Sequence, residues 1–166
     1  MNFSKALLLA LLTVMTSPAV WAHGDSASTK TAQTTPSDSE ETTFGKPGNA
    51  KKVMRTITVD MNDTMRFKPD KLAIRQGDTV RFVVKNSGKI MHEFVLGTMT
   101  ELKNHAEMMK KHPGMEHDEP YMAHVAPGKT QTLVWQFTKA GAFQFGCLLP
   151  GHLEAGMAGT INVTKR

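Results

Sequence analysis

Near the C-terminus, residues Cys147 to Met157 read C-L-L-P-G-H-L-E-A-G-M, and any fold of this chain must carry that stretch as a loop. Pro150 and Gly151 force a turn between the first two polar positions. The C-x4-H-x4-M spacing also does not repeat on one face of a helix. Cys147 is the single cysteine in 166 residues. A thiol, an imidazole and a thioether can be packing residues, since free cysteine often behaves as a small hydrophobe. The Pro-Gly-His and Gly-Met steps are poor packing material, however. Structural zinc prefers four Cys/His ligands, which leaves methionine unexplained, and a Cys/His nucleophile pair leaves Met157 idle. One thiolate, two imidazoles and a weak thioether form the donor set that selects copper, Cu(I) or Cu(II), with methionine on the axis. The segment lacks one histidine for that set. His92, in G-K-I-M-H-E-F-V-L-G, lies on an apolar run that reads as a strand able to lie beside the strand ending at Cys147.

The N-terminus predicts export. Lys5 precedes an apolar run from Ala6 to Met15, and Val20-Trp21-Ala22 reads as a small-residue cleavage site, so residues 1–22 are expected to be a signal peptide and the protein periplasmic. The apolar run falls short of the about 20 residues a membrane-spanning helix needs, so no membrane span is expected in the mature form. Removing Lys5 lowers the formal charge from +5 by one, since residues 1–22 hold no Asp or Glu. This mild basicity in an exported chain reads as solubility and steering toward an acidic partner, not as a nucleic-acid footprint. A lone exported thiol has no internal disulfide partner, and a bound metal would protect it.

Residues 23–50 are rich in Ser, Thr, Ala, Gly and Pro and predict a disordered tether. From Val53 the pattern becomes β. V-M-R-T-I-T-V alternates, K-L-A-I is short and apolar, T-V-R-F-V-V-K ends at the N-S-G turn, and Q-T-L-V-W-Q-F, A-G-A-F-Q-F-G-C and A-G-T-I-N-V-T follow. These runs predict an all-β Greek-key β-sandwich over residues 51–166.

An insertion at about 98–129 interrupts the strands. E-L-K-N-H-A-E-M-M-K-K-H predicts a short helix ended by Pro113-Gly114. Leu102, Ala106 and Met109 share one stripe of it, while His105, Met108 and His112 share the next. Nine Met or His residues fall between Met99 and His124. His105, Met108, Met109, His112, Met115, His117, Met122 and His124 are therefore a second candidate copper set, with packing and solvation as the plain alternative.

With these residues in view, G-D-T-V-R-F, the N-S-G turn before M-H-E-F, F-Q-F-G-C and C-L-L-P-G-H-L-E-A-G-M resemble the cupredoxins, the plastocyanin and azurin superfamily. The likeness is nearest to periplasmic copper-tolerance cupredoxins with a Met/His-rich insertion. It implies that His92, Cys147, His152 and Met157 are the ligands of a type 1-like copper site, with Leu148, Leu149, Pro150, Leu153 and Ala155 as an apolar collar around His152. Many cupredoxins carry Asn after the first histidine and Ser or Thr after the cysteine, where this chain has Glu93 and Leu148, so a less constrained site is expected. The expected function is copper handling in copper tolerance, with passage of copper or electrons to a transient protein partner. The alternative is a soluble one-electron carrier to an envelope oxidase or reductase. No enzyme is expected: there are no His-x-His pairs for a trinuclear cluster and no second cysteine for a binuclear one.

Overall fold

A computed structural model describes residues 41–112 and 118–166. Ten strands form two five-stranded sheets. The first sheet takes β1 (Lys46–Pro47), β2 (Arg55–Asn62), β3 (Arg66–Lys68), β5 (Thr79–Asn86) and β8 (Thr130–Gln136), in the order β1-β8-β5-β2-β3. The second takes β4 (Lys71–Arg75), β6 (His92–Gly97), β7 (Met122–Val125), β9 (Gly141–Gly146) and β10 (Ala158–Thr164), in the order β4-β10-β9-β6-β7. The pairs β2 with β5 and β10 with β4 are parallel and the others antiparallel. Parallel neighbours need long crossovers, so the strands mix between sheets as a Greek key demands.

Period-two alternation places the core. Val59 and Met61, Val80, Phe82 and Val84, Leu133 and Trp135, Phe143 and Phe145, and Ile161 and Val163 are all buried in one cluster. Its centre is aromatic: the Phe145 ring lies 5.0 Å from both Phe67 and Phe94, and Phe94 lies 5.2 Å from Phe82. Rings at such spacings add about 0.5–1.5 kcal/mol per pair beyond their burial.

Strand β6 is buried along its whole length. Phe94 and Leu96 join the core between the sheets. Val95 joins a second cluster with Leu102, Ala106, Met122 and Leu148, beneath helix α1 (Met99–Lys111). The apolar run Phe94 to Leu96 on both faces of this strand therefore has a cause, since both faces are covered. Helix α1 begins at a capping box in which the Thr98 hydroxyl accepts from the Glu101 amide and the Glu101 carboxylate accepts from the Thr98 amide. Its buried residues are Leu102, Ala106 and Met109, the stripe expected to pack.

Two expectations need correction. The tether does not reach residue 50: Phe44 is buried, stacks 5.2 Å from Trp135 and accepts the Trp135 indole N–H at its carbonyl, and β1 pairs with β8. One large aromatic side chain is enough to dock a segment of otherwise disorder-prone composition. Residues 23–40, like the expected signal peptide 1–22, lie outside the described residues. The insertion is also not wholly an interruption, because its C-terminal part is β7, paired with β6. Four residues of M-A-H-V are too few to show a period.

Candidate metal centre

Three strand ends and one loop meet at one pole of the sandwich. His92 opens β6 and is fully buried. Alternation puts it on the same side as Phe94 and Leu96, facing the core. Cys147 follows β9 in register with Phe143 and Phe145 and is fully buried as well. The loop from Leu148 returns to β10 at Ala158 through a series of tight turns. The His152 amide donates to the Leu149 carbonyl, the Ala155 amide to Gly151, the Gly156 amide to Leu153 and the Met157 amide to His152. Gly151 and Gly156 sit at φ 86° and 90°, where a side chain is strained. The Cys147 amide closes the loop by donating to the Met157 carbonyl at 3.1 Å.

The loop turns His152 onto the cysteine. Its Nδ1 lies 3.1 Å from Cys147 Sγ, and its ring centre is 5.1 Å from that of His92. One ligand atom from each of His92, Cys147 and His152 lies within 4.8 Å of the others, and this is the only such His/Cys/Asp/Glu group among the described residues. Met157 is fully buried in the core cluster that contains Cys147. The fold thus brings His92, Cys147 and His152 together, and the loop returns to Cys147 through the Met157 carbonyl.

The donors have the protonation a soft cation needs. Burial pushes the Cys147 thiol up to about 12, with the Glu93 and Leu149 amides pulling the other way and the Glu93 carboxylate adding to the rise. Without a cation the group is a thiol, so metal capture must displace its proton. Burial, with some help from His92, holds His152 below the usual imidazole range, which leaves a neutral ring near neutrality whose Nδ1 faces Cys147 Sγ. His92 Nδ1 is buried with no hydrogen-bond partner among the described residues. An orphaned buried acceptor is costly, and a metal ion at the Cys147–His152 pair would satisfy it. The donors fit copper.

The two departures from the usual pattern have structural roles. The Glu93 amide donates to Cys147 Sγ at 3.3 Å, while its nearly buried carboxylate turns to the other face of β6 and pairs with His124 Nδ1 at 3.1 Å. Leu148 is fully buried with Leu102 and Ala106 of α1, and Leu153 packs against the same cluster. Helix packing therefore bears on the loop at Leu148, the position where the proteins this chain resembles often carry Ser or Thr. The apolar collar shrinks accordingly: Leu148 and Leu153 are drawn under the helix, and Leu149, Pro150 and Ala155 remain nearer the surface.

Two contacts had no sequence signal beyond a turn. Arg66 Nη1 on β3 donates to the Ala155 carbonyl at 2.8 Å and braces the loop. Asp63, inside the N-D-T triplet at Asn62, lies 3.3 Å from His92 Nε2. The Lys89 amide holds the Asp63 carboxyl below the usual carboxylate range, aided by His92 and Ile90 and opposed by desolvation.

The insertion donors are dispersed. Met109 and Met122 are buried beneath α1, His105 and His124 are half-buried, and Met108 and His112 are exposed. Met115 and His117 lie outside the described residues.

Comparison with known proteins agrees with this geometry. Residues 52–164 match the copper binding proteins of the plastocyanin/azurin family. This chain belongs to that family. Among curated relatives, the cupredoxin is 54% identical over 123 residues to the copper-resistant cuproprotein CopI of Rubrivivax gelatinosus, covering 74% of each chain. It is 40% identical over 121 residues to CopI of Vibrio cholerae, covering 72% of this chain and 71% of that one. Solved neighbours include auracyanin A of Chloroflexus aurantiacus, at a TM-score of 0.57 and 21% identity over 66% of this chain and 98% of that one. The reduced auracyanin of Roseiflexus castenholzii matches at 0.58 and 18% identity, over 68% and 98%. These structural likenesses speak to the fold alone. Copper is the metal of this cupredoxin. No helix among the described residues is long and apolar enough to cross a membrane.

Proposed function

We propose that this cupredoxin holds copper in a type 1-like centre formed by His92, Cys147, His152 and Met157, and that it serves copper tolerance in the periplasm after export through residues 1–22. The observation that carries the reading is the meeting of Cys147 Sγ, His152 Nδ1 and a His92 ring whose buried Nδ1 has no hydrogen-bond partner among the described residues. Curated relatives named as copper-resistant cuproproteins, aligned over most of this chain, support the cellular role. Bound copper supplies one-electron exchange between Cu(I) and Cu(II) and a polarisable bond to sulfur. The chain supplies the rest. Strand β6 holds His92 rigid, the Glu93 amide fixes the sulfur, and a loop braced by Arg66 and by helix α1 keeps His152 and Met157 in place. Such a preset donor cage needs little rearrangement when the charge on the metal changes.

Copper titration followed by visible absorption and electron paramagnetic resonance tests the centre. The full-strength protein should gain an intense sulfur-to-copper band at one equivalent, and Cys147→Ser should lose it. Copper still taken up by Cys147→Ser is assigned to the Met/His insertion. A deletion strain should grow poorly in excess copper. Normal growth there, with failure of a respiratory pathway instead, would overturn tolerance in favour of electron carriage.

A further inference from the structure

The contact between Asp63 and His92 belongs to no part of the donor set. Asp63 sits in the turn between β2 and β3, where the Thr64 amide donates to the Asn62 side chain and the Met65 amide to the Asn62 carbonyl. Its carboxylate is fixed from the other side by the chain that leads into β6. The Lys89 amide donates to Oδ2 at 2.8 Å and to Oδ1 at 3.0 Å, and the Ile90 amide reaches Oδ1 at 3.5 Å. Gly88 is what permits this approach, since a Cβ there would stand 2.0 Å from Asp63 Oδ1. The segment is itself anchored: the Asn86 side chain donates to the Ile90 and Val125 carbonyls and accepts from the Gly88 amide. One carboxylate oxygen is thus held 3.3 Å from the His92 ring.

The chemistry of that contact fixes the ring. A carboxylate only accepts, so the imidazole proton belongs on Nε2, and Nδ1 keeps its lone pair. Nδ1 is the buried atom with no hydrogen-bond partner among the described residues, and its ring faces His152. We propose that Asp63 is the positioning residue of the copper centre: it orients His92 with Nδ1 free toward the metal, and its negative charge favours the more oxidised, more positive ion. The proposal rests on the copper reading above. A carboxylate behind a metal-bound histidine raises the basicity of the ligand, and loss of such a partner typically costs about 10–100-fold in metal affinity. Because Asp63 is partly exposed, with 38% of its side chain accessible, solvent screening places the effect at the lower end of that range.

The test compares the full chain with Asp63→Asn and Asp63→Ala. The one oxygen of Asp63→Asn can take the place of Oδ1, which now accepts from the Lys89 amide at 3.0 Å and from His92 Nε2 at 3.3 Å, while the 2.8 Å bond to Oδ2 is lost. The ring orientation persists and the charge is gone. The variant's affinity for Cu(II) should fall about tenfold while that for the less charged Cu(I) changes little, read as a rise of about 59 mV in the one-electron reduction potential. Asp63→Ala removes the acceptor as well. In the metal-free protein, ring nitrogen shifts of His92 should report a proton on Nε2 for the wild type and mixed tautomers for Asp63→Ala. Thermal unfolding of the metal-free forms checks that each variant folds. A potential unchanged in Asp63→Asn overturns the proposal, as does a wild-type tautomer retained in Asp63→Ala, since Asp63 would then only anchor the turn. If the wild type shows no Cys147-dependent copper signal, the copper reading itself fails, whereas the metal-free tautomer still separates that failure from an error about Asp63.

Discussion

Met157 and Gly88 each separate packing from function. Met157 is fully buried in the core and also carried by the donor loop. Leucine has nearly its volume, and such swaps usually cost less than about 1.5 kcal/mol. Met157→Leu should therefore leave metal-free stability within that range; if Met157 is the fourth ligand proposed above, the reduction potential should rise and the visible spectrum change, because a hydrocarbon would offer the copper no sulfur. Denaturant unfolding and spectroelectrochemistry read the two effects separately. Gly88→Ala works the other way. Its Cβ would overlap the Asp63 carboxylate, and forced overpacking costs about 1–3 kcal/mol, so it should lower stability before any metal is added.

Helix α1 couples the insertion to the donor loop through Leu102, which is buried with Leu148 and beside Leu153. Truncating a buried leucine costs about 2–5 kcal/mol. Leu102→Ala should therefore destabilise the fold and speed copper loss to a chelator in the same variant. Lys110 of α1 also pairs with Glu154 of that loop and, at 2.7 Å, with Glu107. These exposed pairs should matter little by comparison. The start of the helix carries a pH dependence. Desolvation would raise the Glu101 carboxyl, but hydrogen bonds from Thr98 and Thr43 prevail and hold it below its ordinary 4.5. A carboxyl depressed in the folded state stabilises the fold above its ordinary value and loses that contribution as pH falls through the folded one. Glu101→Gln should therefore lower the urea midpoint at neutral pH, and the gap to wild type should close well below pH 4.5.

The two sheets and the metal pole form one cooperative unit, in which a ligand that binds only the folded state stabilises all of it. Copper at 100 times its dissociation constant should add about 2.7 kcal/mol, visible as a higher melting temperature that a chelator reverses and that Cys147→Ser lacks. How much of this was readable in the residues follows from the range of each interaction. Alternating strands and the packing stripe of α1 are local patterns, set by side-chain periodicity, so they stood in the amino-acid order. So did the candidate donors, because the affinity of sulfur and imidazole for copper is a property of the side chains. Phe44 docking on Trp135, Leu148 packing under the helix, Arg66 bracing the loop and Asp63 facing His92 were not readable. Each joins segments distant in the chain, and no local period records which partner a folded sheet will bring near. The order of residues specified which donors the protein has; the closing of strands from both sheets at one pole set which of them meet, and which acidic group stands behind the buried histidine.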